Sequence, residues 1–169
     1  DMASSGASTL SGSGYDVTLS ATDEIHGMAG LTIDAGMSEK NQAGNANTDG
    51  DVSEHTIALT YAVGSFTVGY QMSEEDMGVS ANEQQYDNEG YGITFAINDD
   101  LSIGYNHYES EQDNGTAANV TSEASSVQIA YSMGGASVRL ASSDGDNMAY
   151  QTAASGDRDM TVLSVSLAF

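Results

Sequence analysis

The stretch Asp159–Phe169 reads Asp-Met-Thr-Val-Leu-Ser-Val-Ser-Leu-Ala-Phe. Leucine, valine or phenylalanine occupies every second position from 163 to 169, and the positions between them hold serine or alanine. Successive side chains of a β-strand point to opposite faces. The stretch is therefore predicted to be a strand with one apolar face and one face of small or hydroxylated side chains.

Eight segments upstream alternate in the same way, so the chain is predicted to be all-β with about nine antiparallel strands. The predicted strands cover about 14–22, 27–38, 52–63, 66–72, 91–98, 101–108, 126–132, 136–141 and 159–169. The connections alternate between tight turns at 23–26, 64–65, 99–100 and 134–135 and longer polar loops at 39–51, 76–87, 113–120 and 144–157. Transmembrane β-barrels have short periplasmic turns and longer outer loops. The spacing favours an antiparallel transmembrane β-barrel over 14–169, preceded by a polar N-terminal loop over 1–13.

The composition limits the possible partners of this chain. It has 169 residues, 25 of them acidic and only three basic, and its net charge of -22 makes nucleic acid a poor partner. The absence of cysteine excludes disulfides. A hydrophobic content of 39% is low for a packed soluble core, but it suits a barrel in which only the lipid face is apolar. The negative charge is interpreted either as an adaptation for solubility or a salty habitat, or as a field that attracts cations, and both can hold.

Aromatic residues lie at the parity of the apolar face and close to the tight turns or the chain end. Such residues form a girdle at the membrane interface of transmembrane barrels. The predicted girdle consists of Tyr61, Phe66, Tyr70, Phe95, Tyr105, Tyr131 and Phe169.

The alternating strands, the Gly/Asp/Asn-rich loops, the acidic balance and the ending Ser-Leu-Ala-Phe together resemble the C-terminal half of an alphaproteobacterial general porin. The resemblance covers about 14–169. It implies a 16-stranded, homotrimeric barrel in the cell outer membrane, in contact with lipid and lipopolysaccharide, through which small hydrophilic solutes diffuse. It also implies that an N-terminal segment supplies the missing strands and that the barrel-assembly machinery reads the terminal Phe169.

The opposite parity predicts the pore-lining residues, because a water-filled lumen favours polar side chains. The predicted set is Asp34, Thr56, Thr60, Gln71, Thr94, Asn106, Tyr108, Gln128, Arg139 and Ser164. Arg139 is the only cation centred in a predicted strand. It is expected either to face acidic groups across the pore or to pair with a neighbouring carboxylate.

No cofactor other than calcium is predicted. The acidic loop motifs Asp49-Gly50-Asp51 and Asp144-Gly145-Asp146 have the composition of calcium loops. Each is far shorter than the full calcium-loop signature, and turn chemistry alone accounts for Asp-Gly.

The sequence predicts that the chain is not an enzyme, because it has no nucleophile elbow and no phosphate-binding loop. The main hypothesis is a porin with a preference for cations. Two alternatives remain open at this stage: a small eight-stranded outer-membrane barrel acting as an anchor or adhesin, and a secreted acidic β-sandwich.

Overall fold

The structure is a computed structural model that describes residues 13–42, 50–79, 84–115 and 117–167. Nine strands account for most of these residues. They are β1 Gly14–Ala21, β2 Leu31–Lys40, β3 Val52–Val63, β4 Phe66–Asp76, β5 Gln84–Ala96, β6 Leu101–Asn114, β7 Val120–Met133, β8 Ala136–Asp146 and β9 Arg158–Leu167.

The strands form a single antiparallel sheet in the order β1 to β9, with each strand paired to its neighbours in sequence. The predicted all-β class, the strand count and the antiparallel arrangement are therefore confirmed. Within the described residues β1 and β9 are the two edges of the sheet, which is not closed.

Two-residue turns close the hairpins β3–β4 and β7–β8. Val63 pairs with Phe66 around the first turn, and Met133 pairs with Ala136 around the second. Gly64 and Gly134 have φ angles of 57° and 59°, which glycine adopts without the steric cost of a Cβ atom. The sequence predicted both turns correctly.

Most strands extend further into the loops than predicted. Strand β5 begins at Gln84, although 76–87 was predicted to be loop. Strand β6 ends at Asn114 and strand β7 begins at Val120, so both extend beyond their predicted bounds. These extensions are polar on both faces, so they lack the apolar alternation from which the strands were predicted. Strand β2 begins at Leu31 and not at 27 as predicted, because the four-residue helix Asp23–His26 and the turn that follows it occupy the preceding residues.

The described part of the chain has no buried hydrophobic side chain. Most of the large apolar residues in the strands lie on one uncovered face of the sheet; Leu19 is 66% exposed and Leu163 is 65% exposed. A β-sandwich buries such a face under a second sheet, whereas the described residues form one sheet only. This contradicts the secreted-sandwich alternative, and the ninth strand contradicts a barrel of eight.

No helix in the described ranges is long and apolar enough to cross a membrane. The predicted N-terminal loop, 1–13, lies almost wholly outside the described residues and stays a prediction.

Candidate functional site

The strand register places all ten predicted pore-lining residues on the same side of the sheet. Residues paired across an antiparallel ladder share a face, and the eight strand pairs carry this face from β1 to β9. We call it the polar face; it includes Asp34, Thr56, Thr60, Gln71, Thr94, Asn106, Tyr108, Gln128, Arg139 and Ser164. That these residues line a pore stays a prediction.

Glycines leave space beside the larger residues of the polar face. Gly90 is paired with Tyr108, and Gly104 is paired with Gln128. A Cβ atom on Gly104 would lie 3.3 Å from Cγ of Gln128, closer than most real contacts of this kind. Substitution of Gly104 would therefore crowd the polar face, whereas a Cβ atom on Gly90 would make an ordinary contact with Tyr108 at 3.5 Å.

A hydrogen-bonded network lies at the loop end of the polar face. The hydroxyls of Tyr108 and Ser110 donate to Asn88 Oδ1 at 2.7 Å and 2.5 Å, and Ser110 Oγ lies 2.6 Å from the hydroxyl of Tyr150. Because Ser110 uses its single proton toward Asn88, Tyr150 is the donor to Ser110. Ser110 is only 4% exposed.

Of the residues in this network, only Tyr108 was predicted from the sequence to be a site residue. Asn88 follows a predicted loop and Tyr150 lies within another, so the strand pattern gave them no role. A lone aromatic residue in an otherwise polar loop was the one available signal for Tyr150.

Arg139 lies on the polar face of β8 with small neighbours. Its cross-strand partners are Ala130 and Ser164. Neither is acidic, so the alternative in which Arg139 pairs with an adjacent cross-strand carboxylate is not supported. Asp34 lies on β2 beside Ser20 and Ala58, six strands from Arg139.

The aromatic residues of the predicted girdle that the structure describes all lie on the opposite, apolar face. Phe66 stacks on Phe95 with ring centroids 4.6 Å apart. Tyr70 is paired with Tyr91, whose ring lies 6.3 Å from that of Tyr105. Phe169 lies outside the described residues. Membrane contact by this face stays a prediction.

The apolar face changes to carboxylates toward the long loops. Glu89, Glu109, Glu123 and Asp146 are paired in succession across β5 to β8. We call this acidic end of the apolar face the acidic rim; it also contains Glu74, Asp87, Glu111, Asp144 and Asp159.

The acidic rim defines where the apolar band ends. On β4, Phe66 and Glu74 are eight residues apart, or about 26 Å along the strand. This length allows a tilted strand to cross most of an apolar band about 25 Å tall. Carboxylates are costly in hydrocarbon, so in a membrane-spanning sheet the rim is predicted to lie at the water side of the band.

The predicted calcium residues Asp144 and Asp146 are part of the acidic rim. Asp144 is paired with Asp159, so two carboxyl groups lie opposite each other across the β8–β9 ladder. Within the described ranges no group of three or more Asp, Glu, His or Cys residues is placed to hold a metal ion. Asp49 lies outside the described residues, whereas Asp51 accepts a hydrogen bond from Asn41 at 2.7 Å. Calcium stays a prediction.

An up-and-down antiparallel sheet with an uncovered apolar face, a polar face and an acidic rim has the features of an outer-membrane β-barrel wall. Among solved structures, the chain is similar to "Outer-membrane expressed OmpT of Vibrio cholerae", with a TM-score of 0.64 and 18% identity over 80% of this chain and 46% of that chain. It is similar to the in-vitro folded trimer form of OmpT from the same organism, with a TM-score of 0.63 and 17% identity over 80% of this chain and 46% of that chain. It is also similar to an OmpT mutant lacking loop L8, with a TM-score of 0.55 and 20% identity over 80% of this chain and 48% of that chain.

The chain thus spans about half the length of these three proteins. No protein-family model matches the sequence, and no curated protein matches it. The likeness supports an outer-membrane β-barrel fold and agrees with the predicted location in the outer membrane.

The prediction that the chain is not an enzyme is wrong, because it excluded an enzyme on the absence of motifs alone. The likeness to the OmpT structures, at 17% to 20% identity, concerns the fold alone. Because one fold can host unrelated functions, the missing nucleophile and phosphate motifs do not exclude catalysis.

Proposed function

We propose that this chain forms part of the wall of an outer-membrane porin, a water-filled channel for passive diffusion of small hydrophilic solutes. The observation that carries the proposal is the division of the sheet into two faces. The described residues have no buried apolar side chain, and the polar face carries hydroxyl, amide and glycine residues over all nine strands. Lipid in contact with the apolar face and water in contact with the polar face would account for both the exposed apolar side chains and the polar ones.

We infer that the channel prefers cations. The net charge of -22 creates a negative potential around the protein. Several acidic residues lie on the polar face itself, including Asp16, Asp34, Glu54 and Glu75. Arg139 supplies a local positive charge on the same face, so it is proposed to modulate the preference.

We further propose that a segment with an odd number of strands completes the barrel. In an up-and-down sheet of nine strands, β1 and β9 run in the same direction, so an odd number of additional strands makes both new junctions antiparallel. Seven strands would give 16, the number implied by the resemblance to general porins. Unpaired edge strands would be costly in lipid, which supports such a partner.

The remaining partners follow from the same proposal. Lipid and lipopolysaccharide contact the apolar face and the acidic rim, the barrel-assembly machinery recognises the C-terminal strand, and three copies form a homotrimer. The trimer form of the similar OmpT structure supports the last point.

Planar-bilayer recording tests the proposed function. Protein purified from outer membranes is expected to produce stable conductance steps, and under a salt gradient the reversal potential should have the sign of a cation-preferring channel. Raising the salt concentration should weaken the preference, because the Debye length falls from about 10 Å at 0.1 M to about 3 Å at 1 M. A protein that inserts but does not conduct, or that prefers anions, would contradict the proposal.

A further inference from the structure

The connection between β8 and β9 folds back onto the polar face of the sheet. It contains two short 3-10 turns, Met148–Tyr150 and Ala154–Gly156. The first of these turns contacts Tyr86 of β5, Ser110 of β6 and Ser122 of β7 on the polar face. We call Met148–Tyr150 the docked turn.

Tyr150 provides the main attachment of the docked turn. Its hydroxyl donates to Ser110 Oγ at 2.6 Å, and its ring centroid lies 5.5 Å from that of Tyr86. Tyr86 is in turn held by Gln112, whose Nε2 donates to the Tyr86 hydroxyl at 2.8 Å. One aromatic side chain of the loop is therefore seated on two neighbouring strands.

Two further contacts are made by Asn147 and Met148, which precede Tyr150 in the chain. Asn147 Nδ2 donates to the carbonyl oxygen of Thr121 at 3.0 Å, and Ser122 Oγ lies 3.8 Å from Met148 Sδ. A Cβ atom on Gly145 would lie only 2.8 Å from Met148 Sδ. The glycine thus leaves the space that Met148 occupies above the sheet.

The backbone of the turn supports a specific docked conformation. Asn147, Ala149 and Tyr150 have φ angles of 49°, 56° and 57°. This left-handed region is disfavoured for residues with a Cβ atom and persists where surrounding contacts impose it. The attachments of Tyr150, Asn147 and Met148 are the contacts available to impose it.

We propose that the docked turn narrows the channel at its loop end and that Tyr150 is the residue that determines this narrowing. The inference rests on the proposed channel function. If water fills the space in front of the polar face, a turn of backbone lying on that face occupies part of the cross-section. A cavity of about 410 Å³ remains beside the turn, bordered by Glu75, Tyr86, Asn88, Tyr108 and Ser122.

The alternative is that the docked turn only attaches the loop to the barrel wall and does not affect ion flow. Both possibilities predict some loss of stability when Tyr150 is shortened. Only the narrowing predicts a change in ion flow through a correctly folded channel. Single-channel conductance therefore separates them.

The test compares Tyr150→Ala and Tyr150→Phe with a control, Thr152→Ala, which lies exposed in the same loop. Tyr150→Ala is expected to raise single-channel conductance by roughly 1.5-fold or more, because conductance follows the width and lining of the narrowest part of a pore. Tyr150→Phe keeps the ring and should have a smaller effect. Thr152→Ala should match the wild type.

A cross-link provides a second readout that does not depend on one substitution being tolerated. The chain has no cysteine, so Ser122→Cys with Met148→Cys introduces a unique pair that a short thiol-reactive cross-linker can bridge. Cross-linking should leave the conductance of the otherwise wild-type channel unchanged. When the same two cysteines are combined with Tyr150→Ala or Tyr150→Phe, cross-linking should lower the conductance to that of the double-cysteine protein that keeps Tyr150 and is not cross-linked.

The outcomes distinguish the two proposals. If the wild type conducts and the Tyr150 variants have the same conductance as the wild type, with or without the cross-link, the proposed narrowing is wrong and the proposed channel function is still supported. If the wild type inserts without conducting, the channel proposal and the narrowing both fail. Raised conductance that the cross-link reverses supports the narrowing.

Discussion

Replacing Ile129 by arginine is expected to prevent most of the protein from assembling in the outer membrane. Ile129 lies in the middle of the apolar face of β7, paired with Ile103 and Leu140, and is 41% exposed. An arginine on the lipid face of a β-barrel costs about 2–4 kcal/mol at the bilayer midplane. Heat-modifiable migration in gels and the amount of protein in outer-membrane fractions measure the effect.

The neighbouring residue provides the matched control. Gln128 is adjacent in sequence but lies on the polar face, paired with Gly104 and Ala141. Gln128→Arg should assemble nearly as well as the wild type, because a water-filled space hydrates the guanidinium group. Equal loss of assembly in both variants, or in neither, would contradict the assignment of the two faces.

Reversing the charge of Arg139 is expected to have the largest effect on ion selectivity. Arg139→Glu changes the local charge on the polar face by two units, next to the uncharged Ala130 and Ser164. We expect the ratio of cation to anion permeability to rise roughly threefold at 0.1 M salt, and by less at 1 M, where screening is stronger. Reversal potentials under a salt gradient measure the ratio.

Arg139→Lys keeps the charge and is the control for this experiment. It should preserve the wild-type ratio, and Arg139→Ser should give an intermediate one. If Arg139→Glu left the reversal potential unchanged in a folded, conducting channel, Arg139 would not face the permeation path.

The sequence predicted the parts of the fold that depend on local alternation. The apolar parity of β3, β4 and β9 and the turns at Gly64 and Gly134 follow from neighbouring residues alone. The loop ends of β5, β6 and β7 were missed because both of their faces are polar, so the period of two leaves no apolar signal. These extensions are held by ladder hydrogen bonds, which side-chain hydrophobicity does not report.

Features that depend on strand register could not be read from one segment. The acidic rim arises because Glu89, Glu109 and Glu123 are brought opposite one another. Tyr150 meets Ser110, 40 residues away in sequence, and no local pattern predicts that contact. The exclusion of an enzyme failed for another reason, since absent motifs cannot exclude a function that a shared fold can host.

Spin labels on single cysteines along β7 test most directly whether lipid contacts one face and water the other. The native chain has no cysteine, so labels at successive positions from Ser126 to Ser132 report each site separately. Collision rates with oxygen, which concentrates in lipid, should peak at 127, 129 and 131, and those with a water-soluble nickel complex should peak at 126, 128, 130 and 132. Rates that do not alternate, or labels at 127, 129 and 131 that neither reagent reaches, would contradict the account.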